Sequence, residues 1–272
     1  MNICAFCGPT LAKMDPEHVW PDWMSRLFDK HYAPHTYTIR SWDSEGHEFS
    51  RIAKSVNETR DYICKPCNGG WMSDIESHAS PVLTPLIVGA PRNQHLTDLD
   101  IPIINAWMIK TAMVIDFQKA RDPQKHRIPF YTPAQRLRFK ELLETPEHTS
   151  IWLGRFLGTT LHAGRFAARY HKLGGKHFGN QKNYILTFTV RELVLQLVTL
   201  RRTRRSGPIL ATECDTALPW ELYCVPTTPI YYGDPWPPPL HFDDKTIEVF
   251  VNRWNKRGAV MEKPHRPFMP SR

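Results

Sequence analysis

Two Cys-x2-Cys pairs, Cys4-Ala5-Phe6-Cys7 and Cys64-Lys65-Pro66-Cys67, constrain this chain more than any other feature. Four thiolates in two such pairs are enough to close a tetrahedral zinc site. Closing it would fasten the N-terminus to residue 67. The 56 residues between the pairs exceed what a simple zinc ribbon needs, so they must form an inserted structure. Cys214 and Cys224 lack such spacing and read as small buried apolar residues. The opening residues Met-Asn-Ile-Cys-Ala-Phe-Cys carry neither the basic nor the apolar region of a secretory signal. No run of eighteen apolar residues occurs, so a membrane span is not expected. The expectation is a cytoplasmic protein, where thiols stay reduced or metal-bound rather than paired.

The pattern of the chain reads as α+β, with a small metal-stapled lobe over residues 1–80 leading a larger lobe over 81–272. Asp22 to Asp29 suits a short helix after Pro21. His35–Trp42 and His47–Lys54 read as strands joined by the turn composition Asp43-Ser44-Glu45-Gly46. A helix is expected from near Asn68, with Trp71, Met72, Ile75 and Ala79 as its inward stripe. Pro81, Pro85 and Pro91 are expected to break up the stretch that contains them. Ile101–Lys119 reads as a long buried helix, and Thr132-Pro133 as the start of a basic amphipathic helix over 134–143. Ile151–Leu157 and Tyr184–Thr199 are rich in β-branched and aromatic residues, the second turning near Arg191-Glu192. After the extended Pro235–Pro239 segment, Asp243-Asp244 begin a last helix through Trp254.

Next to the cysteine pairs lie three side chains of a different kind. Glu17 and His18 come after the first pair, and Asn68 comes directly after Cys67. Hydrolysis of a phosphodiester needs a base for the attacking water and a cation for the charge that develops on the phosphorus oxygens. Histidine suits the first role because it titrates near neutrality. A carboxylate and an amide oxygen suit a hard cation such as magnesium. Zinc closure would draw Glu17 and His18 towards Asn68 across their separation in sequence. Adjacent residues of a strand face opposite ways, so both serve one site only if the backbone bends, which Pro16 and Pro21 favour. The structural alternatives are an ion pair of Glu17 with Arg51 or Arg60, and a helix cap from Asn68.

Taken together, the signature Cys4-x2-Cys7, Glu17-His18-Val19-x-Pro21, Cys64-x2-Cys67-Asn68 resembles the HNH or His-Me finger endonucleases. It is most similar to the endonuclease VII group and to uncharacterised bacterial and phage HNH proteins. The resemblance implies a zinc-stapled ββα-metal finger of treble-clef-like form, leading a mixed helical and antiparallel-sheet lobe. It implies His18 as general base, Glu17 and Asn68 as ligands of a catalytic Mg2+ or Mn2+, and Cys4, Cys7, Cys64 and Cys67 as ligands of a structural Zn2+. It also implies a bacterial or phage origin, and DNA as the partner, held chiefly through its phosphates. Many members carry a second histidine one helical turn past the residue after the last cysteine; Met72 stands there instead. Glu76 is the auxiliary candidate, as ligand of a second metal or as a water-orienting group. It lies roughly 12 Å along a helix from Asn68, too far for both to bind one ion; its bland reading is a capping or surface carboxylate.

Charge agrees with a polyanionic partner without requiring one. The net charge is +8, and each phosphate contact releases a counterion. Arg201, Arg202, Arg204 and Arg205 form the densest basic cluster, either a solvated loop or a phosphate contact. The alternative in another functional class is a zinc-finger protein that binds nucleic acid without cutting it. Substrate sequence, strand number, the choice of DNA over RNA and association into homo-oligomers are left open.

Overall fold

Residues 2–31, 37–42, 48–53, 59–90, 96–117, 129–159, 161–171, 177–199, 222–225 and 241–252 are described by a computed structural model. The chain opens with a hairpin, β1 (Asn2–Cys4) against β2 (Gly8–Thr10), turned over Ala5, Phe6 and Cys7. Gly8 has φ +74°, a conformation that glycine adopts without a Cβ penalty. A second antiparallel pair joins β3 (Met14–His18) to β6 (Thr59–Cys64), with a register shift between Asp15 and Glu17. Pro16 lies at that shift. A proline has no N–H for the ladder, so a bulge is where a strand tolerates one.

The insertion between β3 and β6 holds α1 (Asp22–His31), β4 (Tyr37–Trp42) and β5 (Glu48–Ala53). β4 and β5 pair antiparallel, as their alternation predicts; the expected turn over 43–46 lies outside the described residues. The hairpin does not stay with its neighbours in sequence. It forms one edge of a seven-stranded sheet with β7 (Thr149–Arg155), β8 (Leu161–His171), β9 (His177–Val190), β10 (Leu193–Thr199) and β11 (Leu222–Val225). The order is β11-β7-β10-β9-β8-β4-β5, antiparallel except where β4 runs parallel to β8. β9 and β10 turn at Arg191-Glu192, as expected. β8 is not evident from the sequence, because Leu161–His171 offers little β-branched signal.

After β6 the chain turns through the short α2 (Lys65–Cys67), a π turn at Asn68–Met72, and α3 (Ser73–Ile87). The helical segment thus begins before Asn68, and the kink falls at Gly70. Pro81 and Pro85 do not break it; they lie inside α3. Each interior proline costs about 3 kcal/mol. Burial of Ile75, Leu83, Leu86 and Ile87, at roughly 1.5–3 kcal/mol per side chain, is enough to hold the helix together. The boundary expected near residue 80 falls within α3, and one core of buried residues runs across it.

At the centre of that core is α4 (Asp100–Asp116), buried all round from Trp107 to Asp116. Its Val114 carbonyl accepts from Tyr62 Oη of β6 at 2.7 Å, and its Ala112 carbonyl from Tyr184 Oη of β9 at 3.2 Å. Trp107 meets Phe188 of β9 edge-on at 6.1 Å. α4 therefore lies between the β3–β6 pair and the large sheet. α5 (Pro133–Leu142) starts with a capping box, Thr132 and Gln135 bonding each other's backbone N–H. α6 (Asp244–Asn252) is capped by Asp243 and Thr246. Its expected end at Trp254, the Pro235–Pro239 link, the arginines at 201–205 and Cys214 lie outside the described residues. No helix among the described residues is long and apolar enough to cross a membrane.

One turn tests how tightly α3 joins the sheet. Gly89 has φ +62°, and a Cβ there would come within 2.1 Å of the Glu192 carboxylate. Arg155 holds that carboxylate at 2.9 and 3.0 Å, so it is not free to swing away. Gly89→Ala is expected to destabilise the protein by about 1–3 kcal/mol, read as a lower urea midpoint at unchanged m-value.

Candidate functional site

Local structure brings the four cysteines together from two places. Cys4 ends β1 and Cys7 lies in the β1–β2 turn, while Cys64 ends β6 and Cys67 closes α2. Their Sγ atoms all lie within 4.8 Å of one another. Cys4–Cys67 is 4.0 Å, Cys7–Cys64 is 3.8 Å and Cys7–Cys67 is 3.3 Å. A tetrahedron with metal–sulfur bonds of about 2.3 Å has sulfurs about 3.8 Å apart, so the cluster is close enough to hold a metal ion. No disulfide joins these four thiols. The contact with Cys67 holds the Cys4 thiol down to about 4 and pushes Cys67 upward, as expected of sulfurs sharing protons in a tight cluster. Lys140 Nζ of α5 donates to Cys7 Sγ at 3.2 Å, a cation placed against the sulfur cluster. Phe6 packs edge-on against Trp71 at 5.0 Å, and Trp71 against Phe139 of α5 at 5.8 Å.

The π turn puts Asn68 beside the bulged strand. Asn68 Nδ2 donates to Asp15 Oδ2 at 2.9 Å and to the Pro16 carbonyl at 3.3 Å. Its amide nitrogen is thus directed at that strand rather than at a helix end. Asn68 therefore reaches the residues just before Glu17 and His18, in spite of the long insertion between them. Beyond the bulge, alternation sends the two side chains to different surroundings. Glu17 is 4% exposed, whereas His18 is half-buried at the end of β3.

Glu17 meets a partner that sequence reading does not supply. Lys110 Nζ of α4 donates to Glu17 Oε1 at 2.8 Å and to Glu76 Oε1 of α3 at 2.5 Å. Burial pushes the Glu17 carboxyl up, and the Lys110 charge offsets only part of that. Burial also works to lower the Lys110 ammonium, but the two carboxylates outweigh it and leave the group above the ordinary lysine range. Glu76, expected as an auxiliary or surface carboxylate, is a partly buried member of this triad. The signal for Lys110 is present in the sequence: one charge in the apolar run Trp107-Met108-Ile109-Lys110-Thr111-Ala112-Met113. Nothing in sequence spacing points to Lys140.

The two expected metals fit unequally. Four sulfurs at tetrahedral spacing fit a soft or borderline cation such as zinc. For a hard divalent cation, the accessible oxygens are those of half-buried Asp15 and Asn68 at the rim of the bulge. Glu17 is committed to Lys110, and no hydrogen bond joins it to Asn68 among the described residues. In comparisons with known proteins, no family model, no curated protein and no solved structure matches the chain.

Proposed function

We propose that this chain is a metal-dependent endonuclease of the His-Me finger type, hydrolysing phosphodiester bonds in DNA. The observation that carries the reading is the convergence of Asn68 on the bulged strand of Glu17 and His18, directly beside the four-cysteine cluster. A β1–β2 knuckle, an antiparallel β3–β6 pair and a helical segment that begins at Lys65 support a treble-clef-like finger in this reading. In this reading Cys4, Cys7, Cys64 and Cys67 hold a structural zinc. Half-buried His18, at the strand end, accepts the proton of the attacking water. Asn68 and its neighbour Asp15 would hold magnesium or manganese. A divalent ion there supplies positive charge for the developing phosphorane and leaving oxygen. The net charge of +8 favours the polyanionic substrate.

His18→Ala is expected to lower plasmid nicking by about 100-fold or more, since a general base contributes roughly that much. DNA binding and zinc content should be unchanged, because His18 belongs to neither the cysteine cluster nor the core. Equal nicking by the two proteins would refute the base assignment. The Glu17–Lys110 ion pair favours one second reading, a zinc-finger module that binds nucleic acid without cutting it. Wild-type protein that binds plasmid, branched and single-stranded DNA but cleaves none of them with either metal would establish that reading instead.

A further inference from the structure

The buried acid of this site already has a cation. Lys110 is 1% exposed, and its ammonium lies between Glu17, also buried, and Glu76, whose side chain is 23% exposed. We propose that Lys110 is the resident cation of the Glu17–Glu76 pair, so that Glu17 positions the His18 strand and binds no metal ion. The inference concerns the same site as the nuclease reading and rests on it for the role of His18.

Two features carry it. First, the ammonium donates to a carboxylate oxygen of each acid at contact distance, so an ion bound at Glu17 would have to displace it or sit beside it. Like charges in such a desolvated place repel strongly. Second, the ammonium is shielded from solvent: Lys110 is 1% exposed, and it projects from a helix whose Trp107, Met108, Ala112 and Met113 are themselves fully buried. Glu17, pinned in this way, fixes the strand just past the bulge, and His18 is the next residue along it. The arrangement delivers the alignment expected from a metal ligand by means of a side chain instead.

The test is a binding measurement, so it stands apart from whether the protein cuts DNA. Full-length zinc-loaded protein would be titrated with Mn2+ and followed by electron paramagnetic resonance, using wild type, Glu17→Gln, Lys110→Met and the double variant. Wild type and Glu17→Gln are expected to bind Mn2+ alike, within about twofold. Lys110→Met is expected to gain a site between Glu17 and Glu76 about tenfold tighter than anything in wild type, and the double variant to lose it. A loss of about tenfold or more in Mn2+ affinity on Glu17→Gln alone would overturn the proposal, as would a folded Lys110→Met protein that gains no site. Should Lys110→Met fail to fold, the comparison of wild type with Glu17→Gln decides the matter by itself.

Discussion

Cys64→Ser is expected to unfold the protein's N-terminal core rather than leave a local defect. Cys4, Ala5, Phe6, Cys64 and Cys67 are nearly inaccessible to solvent and belong to the same buried cluster as α4 and the large sheet. With a zinc ion at their centre, the four sulfurs take over much of the cohesion of a hairpin of three-residue strands. Structural zinc contributes on the order of 10 kcal/mol to small domains that depend on it. Losing one of four ligands should therefore remove more than about 3 kcal/mol, a large fraction of a typical domain's stability. Thermal unfolding followed by far-ultraviolet circular dichroism, beside zinc content by atomic absorption, reads both quantities. A melting curve equal to wild type would remove the zinc staple from the fold. Prolonged chelation of the wild type should reproduce the variant's behaviour, because both open the same knuckle.

Arg136→Ala should be comparably damaging, through a different mechanism. The guanidinium is 1% exposed and pairs with Asp116 at 2.7 Å. It also donates to the carbonyls of Met113 at 2.6 Å and Tyr131 at 3.3 Å, which fastens the end of α4 to the start of α5. Its plane lies over Phe117 at 5.1 Å and Phe6 at 5.8 Å, so the same residue reaches the turn between Cys4 and Cys7. Asp116 in turn accepts the backbone N–H groups of Phe130 and Tyr131, each at 3.0 Å. Removing the arginine leaves a buried carboxylate without its counter-charge, which costs about 3–5 kcal/mol. Arg136→Ala with Asp116→Asn should recover part of that loss, since the charge left behind is then gone. Equal destabilisation by the single and double variants would show that packing over the rings, not charge, dominates.

The expectations that hold are those set by local chemistry. Cysteine spacing brings four sulfurs to one place, β-branched alternation marks β4, β5 and the β9–β10 hairpin, and Thr132-Pro133 marks a helix start. Features set by tertiary packing stay hidden. Pro81 and Pro85 read as breakers, yet the apolar face they interrupt is buried along its length. Strand β8 lacks β-branched residues, and pairing on both sides supplies what its composition does not. In the candidate site, the nearness of Asn68 to the Glu17 strand can be anticipated from zinc closure. The partner of Glu17 cannot, because Lys110 is 93 positions away and belongs to a helix whose burial decides its role. Asp15 escapes notice because its neighbour Glu17 carries the motif.

The parallel pairing of β4 with β8 has a consequence for synthesis on the ribosome. Ile39 must wait for Leu161, roughly 120 residues later, before its strand acquires its second neighbour. At about 5–20 residues per second, that interval is on the order of 10 s. For that time the β4–β5 hairpin offers an unpaired backbone edge, flanked by exposed Phe49 and Ile52, to any nascent chain nearby. The cysteine cluster, by contrast, is complete once residue 67 has emerged. Metal capture can thus precede sheet assembly, and the hazard of mispairing falls on the inserted hairpin rather than on the knuckle.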